Sequence, residues 1–420
     1  MRQAASAGWV IPVDGPPLRD AYVAWEDGLI VEVGHGRADR HFGEDALILP
    51  GIVNAHSHLE YSVYAGFGDG EPFGSWLATH IARKRVLTRA EMAAIARHGA
   101  AESLRAGITT TADYSFSGVA ASAAGELGLR AIVYLEVFGA DPRDAEIRFD
   151  ELRAGIEEND LVTVGVSPHA PYTCSLEVYE WCLSLGVPVG THLAESDGEN
   201  EWLEHGTGPL SAARDVLVPP TGKRAVATLE SLLGPELLCA HCVALDESEV
   251  ETLAAADVPV AHCPRSNALL GCGVAPVAAL RTAGARVGLG TDSPASTPSF
   301  DPWEEMRAAL AGARARERRP DALSAADVLE LATLGSAAAL GLDGELGSLV
   351  PGKRADLTVL SLAGSPYDPV EDPVIAAVLG GSPAGVLETT VNGKTRYLQE
   401  ETAWQEVRST ASAARRRMLV

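Results

Sequence analysis

Pro50-Gly51-Ile52-Val53-Asn54-Ala55-His56-Ser57-His58-Leu59-Glu60 ends the first strongly apolar strand of the chain on a pair of histidines. Successive strand side chains point to opposite faces, so His56 and His58, two residues apart, project the same way. Two neutral imidazoles at a strand end can bind one divalent cation and leave positions for ligands from elsewhere. An isolated H-x-H pair is more often a surface or core pair. What gives this one weight is the order of the segments that follow it.

From residue 49 onward, short β-rich runs alternate with alanine- and leucine-rich stretches of helical period. The candidate strands are 49–55, 108–113, 131–137, 161–167, 187–193, 237–242, 258–262 and 286–291; helical periodicity marks 89–105, 175–185 and 246–255. Eight strands alternating with helices predict an α/β fold, a (β/α)8 TIM-type barrel. Residues 1–48 and 346–420 read differently, with turns at Asp14-Gly15-Pro16-Pro17 and Asp27-Gly28 and a hairpin signal at Asn392-Gly393. They are expected to form one small β-sandwich-like domain from both termini, leaving 49–345 as the catalytic barrel. No internal repeat stands out.

Bulk properties narrow the class. The 420 residues are 46% hydrophobic and 21% charged, as in a globular protein, and no apolar run approaches the ~20 residues that span a bilayer. The N-terminus lacks a secretion-type apolar stretch, so a cytoplasmic protein is expected, with no membrane partner. A net charge of −24 argues against nucleic acid as a partner. The basic clusters 314–319 and 415–417 read as solvated helix faces. An N-terminal strand edge and the barrel helices could support a homodimer. Cys239 and Cys242 have C-x-x-C spacing, but on a strand their thiols face opposite sides, so both read as packing residues.

Active sites of such barrels form at the carboxyl ends of the strands. In chain order those ends hold His56 and His58, then His169, then His192 followed by Glu195, then His241, then Asp292. Five of the eleven histidines fall at these places, too many for a scatter. His56, His58, His192 and Asp292 make a ligand set for one divalent metal with a water in the open position. Zinc is the first expectation, and iron(II) suits the same N/O donors. None of the four lysines (Lys84, Lys223, Lys353, Lys394) lies at a strand end where it could bridge a second ion. A bound cation lowers the pKa of water towards neutrality. Glu195 is placed to move a proton from that water to a substrate ring, His241 to orient the water, and Asp292 to take the remaining proton.

These residues resemble the amidohydrolase superfamily, in particular its mononuclear metal-dependent deaminases. The resemblance rests on the motif 50–58, Ser167-Pro168-His169-Ala170-Pro171-Tyr172, His192-Leu193-Ala194-Glu195, Asp292 in Gly-Thr-Asp-Ser, and Gly352-Lys353-Arg354-Ala355-Asp356-Leu357. It implies hydrolytic deamination of a heterocycle. Trp76-Leu77 is similar to the Trp-Leu of S-adenosylhomocysteine and methylthioadenosine deaminases, where an acidic residue two positions earlier holds the ribose; here that position is Gly74. His58-Leu59-Glu60-Tyr61-Ser62 and 262–271 look closer to the aminodeoxyfutalosine deaminases of menaquinone biosynthesis. The resemblance therefore implies aminodeoxyfutalosine as the purine nucleoside substrate, with Glu60 supplying the carboxylate that holds the sugar. Arg265, or more weakly Arg83, would meet the substrate carboxylate, or Arg265 would only brace its loop. His169 would meet a purine nitrogen, Trp76 an aromatic face, and Ser296 would line the pocket. S-adenosylhomocysteine, methylthioadenosine, adenosine or guanine deaminase is the alternative. A barrel scaffold without catalysis is disfavoured, because the four ligands, Glu195 and His241 are all present.

Overall fold

The computed structural model describes residues 1–399 and 404–419; 400–403 and 420, within the expected terminal domain, lie outside the described residues. Two sheets organise the chain. The first runs in the order Lys394–Leu398, Val386–Val391, Leu357–Ser361, Ala46–Pro50, Gln3–Val10, Leu18–Glu26, Leu29–His35, with Arg40–His41 added beside Gln3–Val10. It is mixed, because Gln3–Val10 runs parallel to Ala46–Pro50 while its other long neighbour is antiparallel. Both chain ends meet in it: Ala46–Pro50 pairs residue for residue with Leu357–Ser361, and Val10, Ile48, Leu357 and Val359 share one buried cluster.

The second sheet is the barrel. Its eight parallel strands are Ile52–Ser57, Ile108–Ser115, Arg130–Val137, Val162–Pro168, Val189–Leu193, Leu237–His241, Val260–His262 and Val287–Leu289, each bonded to the next in chain order. The expected run 49–55 divides here: residues up to Pro50 belong to the terminal sheet, and the barrel begins at Ile52. Closure comes from Asn54, whose amide donates to Thr291 Oγ1 (2.8 Å) and accepts from Thr291 N (2.9 Å), and from Asp292 N donating to His56 O (3.0 Å).

Strand parity explains the packing. In Arg130–Val137, Val133, Leu135 and Val137 face the helices, while Ile132 and Tyr134 fill the barrel with Ala112, Tyr114 and Ala240. One glycine is dictated by this filling: a Cβ on Gly190 would stand 2.2 Å from the Tyr114 hydroxyl. Helix starts follow their capping residues. Thr88 and Glu91 form a reciprocal box ahead of Arg89–Arg105.

The terminal helix Gln405–Met418 leaves the first sheet and buries Val407, Ala411, Ala414 and Met418 on one face. Three of these pack with Val63, Tyr64 and Phe67, just after the His58 motif. Arg415 differs from the solvated face expected for 415–417: it donates to Val63 O and to Ala65 O (2.9 Å for the latter). Those carbonyls belong to an irregular segment and need donors that no ladder supplies. No helix among the described residues is long and apolar enough to cross a membrane. All six cysteines are free, and Cys239 and Cys242 are buried in packing positions.

Candidate active site

The first, fifth, sixth and eighth strands deliver their terminal side chains to one place. His58 and His192 each set an Nδ1 against a backbone carbonyl, Tyr114 O at 2.8 Å and His169 O at 2.7 Å. Each ring therefore carries its proton on Nδ1 and presents a bare Nε2 lone pair. These two Nε2 atoms face each other at 3.4 Å. Two nitrogens bound at ~2.0–2.1 Å to one tetrahedral ion lie about 3.3 Å apart. Asp292 Oδ1 stands 3.7 Å from His56 Nε2 and 3.5 Å from His58 Nε2. Both nitrogens of fully buried His56 lack any hydrogen-bond partner. Facing lone pairs and an orphaned imidazole beside a carboxylate are unfavourable unless a cation sits among them, so these residues fit one divalent ion.

Protonation states agree with that fit. Burial pulls His56 down, His58 to about 3 and His192 to about 4, neighbouring imidazoles adding to it, so all three rings are neutral near pH 7. Burial alone would raise Asp292, but the imidazoles packed around it, His56 first and then His58 and His241, hold its carboxyl well below the usual carboxylate range. Neutral imidazoles and an ionised carboxylate are the forms a metal requires. Asp292 Oδ2 is turned away and accepts from Ser266 Oγ (2.6 Å) and Ser296 Oγ (2.8 Å), which fixes Oδ1 towards the histidines.

Glu195 and His241 face this cluster from the next positions. Their Oε1 and Nε2 lie 3.8 Å apart. Burial, then Asp292 and Glu199, push the Glu195 carboxyl well above its ordinary value, so it can hold a proton at working pH. Asn267 Nδ2 donates to His241 Nδ1 (3.0 Å), which leaves the ring proton on Nε2, the side facing Glu195. The backbone at this rim is strained. Ala194 (φ 49°), His241 (φ 76°) and Asp292 (φ 53°) are all left-handed without being glycine. Glu199 holds one of these turns by accepting from Ala194 N (3.1 Å) and Glu195 N (2.8 Å).

The cluster floors a cavity of about 500 Å³. His169 enters its wall with Nδ1 tied to Thr173 Oγ1 (2.9 Å), leaving Nε2 for the cavity; Trp76 lines it as well. Three expected substrate contacts lie elsewhere. Glu60 is buried beneath the wall, its carboxylate taken by Ser115 Oγ and by Ser117 N (3.2 Å). Ser296 is spent on Asp292. Arg265 braces its loop, bonded to Glu305 Oε1 (2.6 Å), Glu304 Oε2 (2.8 Å) and Ser299 O (2.6 Å). Arg83 is likewise occupied, donating to Met418 O and stacking on Phe67. Pairing a guanidinium with two carboxylates inside the fold leaves nothing to offer a ligand.

The cavity instead shows Glu136, Phe116, Phe138, His80 and Lys84, none of which the sequence reading placed there. Parity could have found two of them: Phe116 and Glu136 continue the inward registers of Tyr114 and Tyr134. Lys84 comes from the helix Phe73–Arg85, whose docking no local pattern encodes. Glu136 is 3% exposed and makes no side-chain hydrogen bond or ion pair among the described residues. Its carboxylate lies within 4.8 Å of ring nitrogens of His169 and His192. Gly74 could not supply a carboxylate even by substitution, since a Cβ there would stand 2.1 Å from Pro209 O.

Comparisons with known proteins give the family and the fold. The model of the amidohydrolase family matches residues 47–396. A 5-methylthioadenosine/S-adenosylhomocysteine deaminase of Syntrophobacter fumaroxidans is 35% identical over 362 residues, 83% of this chain and 80% of its own. A 5'-deoxyadenosine deaminase of Methanothermobacter thermautotrophicus is 33% identical over 411 residues, 91% of this chain and 92% of its own. The crystal structure of a zinc-bound adenosine deaminase from Xanthomonas campestris superposes with a TM-score of 0.86 at 28% identity, covering 99% of this chain and 97% of that one.

Proposed function

The chain belongs to the amidohydrolase family, and from that premise we propose that it hydrolytically deaminates the adenine of a nucleoside modified at its 5′ position. The observation that carries the reading is the placement of Glu195 and His241 over a four-ligand cluster at the floor of a largely apolar cavity. Net chemistry exchanges the C6 amino group for oxygen: water adds at C6, the bond from C6 to the amino nitrogen breaks, and the hypoxanthine nucleoside and ammonia leave. A divalent ion held by His56, His58, His192 and Asp292, with zinc as the first choice, supplies a water whose pKa is lowered towards neutrality.

The chain's own groups do the rest. Glu195 carries one proton from the attacking water to the ring nitrogen beside C6. That protonation makes the carbon electrophilic, and a buried carboxyl with a raised pKa is suited to both halves of the transfer. His241 directs its Nε2 proton at the incoming oxygen and holds it over the ring. Asp292 takes the second proton and delivers it to the departing amino nitrogen. His169 Nε2 meets the far edge of the purine. Glu136, aimed into the cavity where Gly74 offers nothing, accepts from the sugar hydroxyls.

The names of the relatives favour methylthioadenosine, S-adenosylhomocysteine or 5'-deoxyadenosine as substrate. A second reading, aminodeoxyfutalosine, is supported by Lys84, a cation in the cavity beside Phe116, which suits a carboxylated aryl substituent. The free cysteines and the lack of a membrane-crossing helix among the described residues accord with a cytoplasmic enzyme. An ultraviolet assay of adenine-to-hypoxanthine conversion with zinc-loaded protein tests the reading against all four nucleosides, adenosine and guanine. Turnover of adenine nucleosides is expected. Turnover of guanine alone, or of none of them, would overturn it.

A further inference from the structure

The last turns of the helix Gln405–Met418 grip the chain on both sides of one cavity wall. Arg415 donates to Val63 O and to Ala65 O (2.9 Å for the latter), and these carbonyls accept from no other group among the described residues. Arg83, near the end of the helix Phe73–Arg85, donates to Met418 O. Arg417 donates to Val86 O (2.9 Å), just past that helix, and to both carboxylate oxygens of Glu91 (2.9 Å each). Two guanidiniums lie over the Phe67 ring, Arg415 at 4.5 Å and Arg83 at 4.6 Å from its centroid. The gripped segment, 62–72, is irregular and turns at Gly66 and Gly68 (φ 84° and 72°). A chain that turns on glycines has many conformations to lose, so contacts from outside must hold it.

What the grip holds is cavity wall: Tyr61, Phe73, Trp76 and His80 all line the cavity. A run of rings carries the contact inward. Phe67 lies 6.0 Å from Tyr64, Tyr64 lies 5.7 Å from His80, and His80 lies 4.3 Å from Trp76, centroid to centroid. Tyr64 also lies 4.9 Å from Tyr61. Trp76 Nε1 donates to Ala295 O (3.2 Å), three residues past Asp292. Ala411, Ala414 and Met418 of the terminal helix share one buried cluster with Val63, Tyr64, Phe67 and Ala295. The candidate metal ligands stand outside this unit. Leu59 N donates to Asp113 Oδ1 (2.6 Å), which ties the chain to the barrel strand Ile108–Ser115 directly after His58.

We infer that Arg415 is a positioning residue for the substrate. Through Val63 O, Ala65 O and the Phe67 ring it keeps the wall from Tyr61 to Arg85 in its binding shape, so the terminal helix sets nucleoside affinity. Without it two carbonyls of an irregular segment lose their donor, and the wall gains other arrangements. Apparent affinity then falls by the fraction of molecules that keep the binding arrangement. Turnover of the bound nucleoside, carried out by groups on the strand ends, does not fall with it. The alternative is a helix that only adds buried apolar surface, which predicts a lower Tm with KM unchanged. Reading the effect as KM rests on the deaminase reading.

The test compares zinc-loaded wild type with Arg415→Met, Arg415→Lys and Arg416→Met, the last removing an exposed charge from the same turn. The substrates are methylthioadenosine, S-adenosylhomocysteine, 5'-deoxyadenosine and adenosine. Losing two charge-assisted hydrogen bonds predicts a KM about 10- to 100-fold higher in Arg415→Met, with kcat within about threefold and zinc content unchanged. Arg415→Lys should recover part of the loss, since an ammonium reaches one carbonyl where the guanidinium fork spans two. Arg416→Met should match wild type. Hydrogen exchange followed by mass spectrometry should quicken in peptides covering 62–86 and stay unchanged in the strands 189–193 and 237–241. An unchanged KM, a kcat loss as large as the KM change, an equal effect in Arg416→Met, or exchange that quickens throughout the barrel overturns the positioning role. If no nucleoside turns over, the deaminase reading fails, and the exchange pattern with the calorimetric Kd of adenosine for wild type and Arg415→Met still decides that role.

Discussion

Replacing Ser296 by alanine probes the candidate metal centre without touching a ligand. Ser296 Oγ donates to Asp292 Oδ2 at 2.8 Å, and Ser266 Oγ donates to the same atom at 2.6 Å. Both serines are buried. Together they hold the carboxylate so that Oδ1 faces His56 and His58. A hydrogen bond to an ionised group contributes about 1.5–3 kcal/mol. Each 1.4 kcal/mol is about tenfold in an equilibrium, so losing one donor should weaken metal binding by roughly 10- to 100-fold. That is also the range expected when an outer partner of a metal ligand is removed. The alanine leaves no orphan of its own, because it deletes a donor while Oδ2 keeps the other. Ser266→Ala should behave alike, and the double variant should lose more than either single one, since Oδ2 then has no partner. Zinc affinity is read by competition with a chromophoric chelator at pH 7.5, circular dichroism confirming the fold. A zinc Kd for Ser296→Ala within about twofold of wild type would refute the view that this pair orients the ligand.

Three further outcomes are expected. Glu195→Gln should retain zinc at wild-type stoichiometry and lose about 100- to 10,000-fold in kcat; near-normal turnover would remove the carboxyl from the proton path. Burial raises the Glu136 carboxyl from 4.5 to about 7, Lys84 opposing it. A group raised on folding contributes stability below its unfolded pKa and loses it as pH climbs through the folded one. Glu136→Gln should therefore gain stability over wild type between pH 4.5 and about 7, by up to roughly 3 kcal/mol; parallel denaturation curves at pH 4.5 and 7.5 with the same difference would contradict this. Gly190→Ala should cost about 1–3 kcal/mol by overpacking against the Tyr114 hydroxyl. It should also weaken zinc binding, because that ring lies 4.4 Å from His56; an unchanged Tm would show that the barrel interior yields there.

Much of the site was legible because its ligands are read by strand endings. The expected strand 237–242 and the observed Leu237–His241 differ by one residue, and a strand end is where a barrel presents its chemistry. The cations were harder to read: of the two roles open to Arg265 the structure takes loop bracing, and Arg415 is not solvated. Arg265, read in the loop after the seventh strand, is locked between Glu304 and Glu305, and Arg415, read on a solvated helix face, clasps the carbonyls of Val63 and Ala65. Partners that far apart in the chain leave no periodic trace beside the residue. Glu60 misled similarly, since Ser115 and Ser117 reach its carboxylate only after two strands pair.

The sequence by itself determined the alternation of strands and helices, the terminal sheet built from both ends, and the gathering of His56, His58, His192, His241, Glu195 and Asp292 at one rim. Those follow from period and spacing, which are local. Only the tertiary structure decided which polar groups face the cavity: Glu136 and Lys84 do, while Glu60, Ser296 and Arg265 are consumed by neighbours. A buried polar side chain takes whichever partner the fold brings within about 3 Å, and that choice is settled by packing between distant segments.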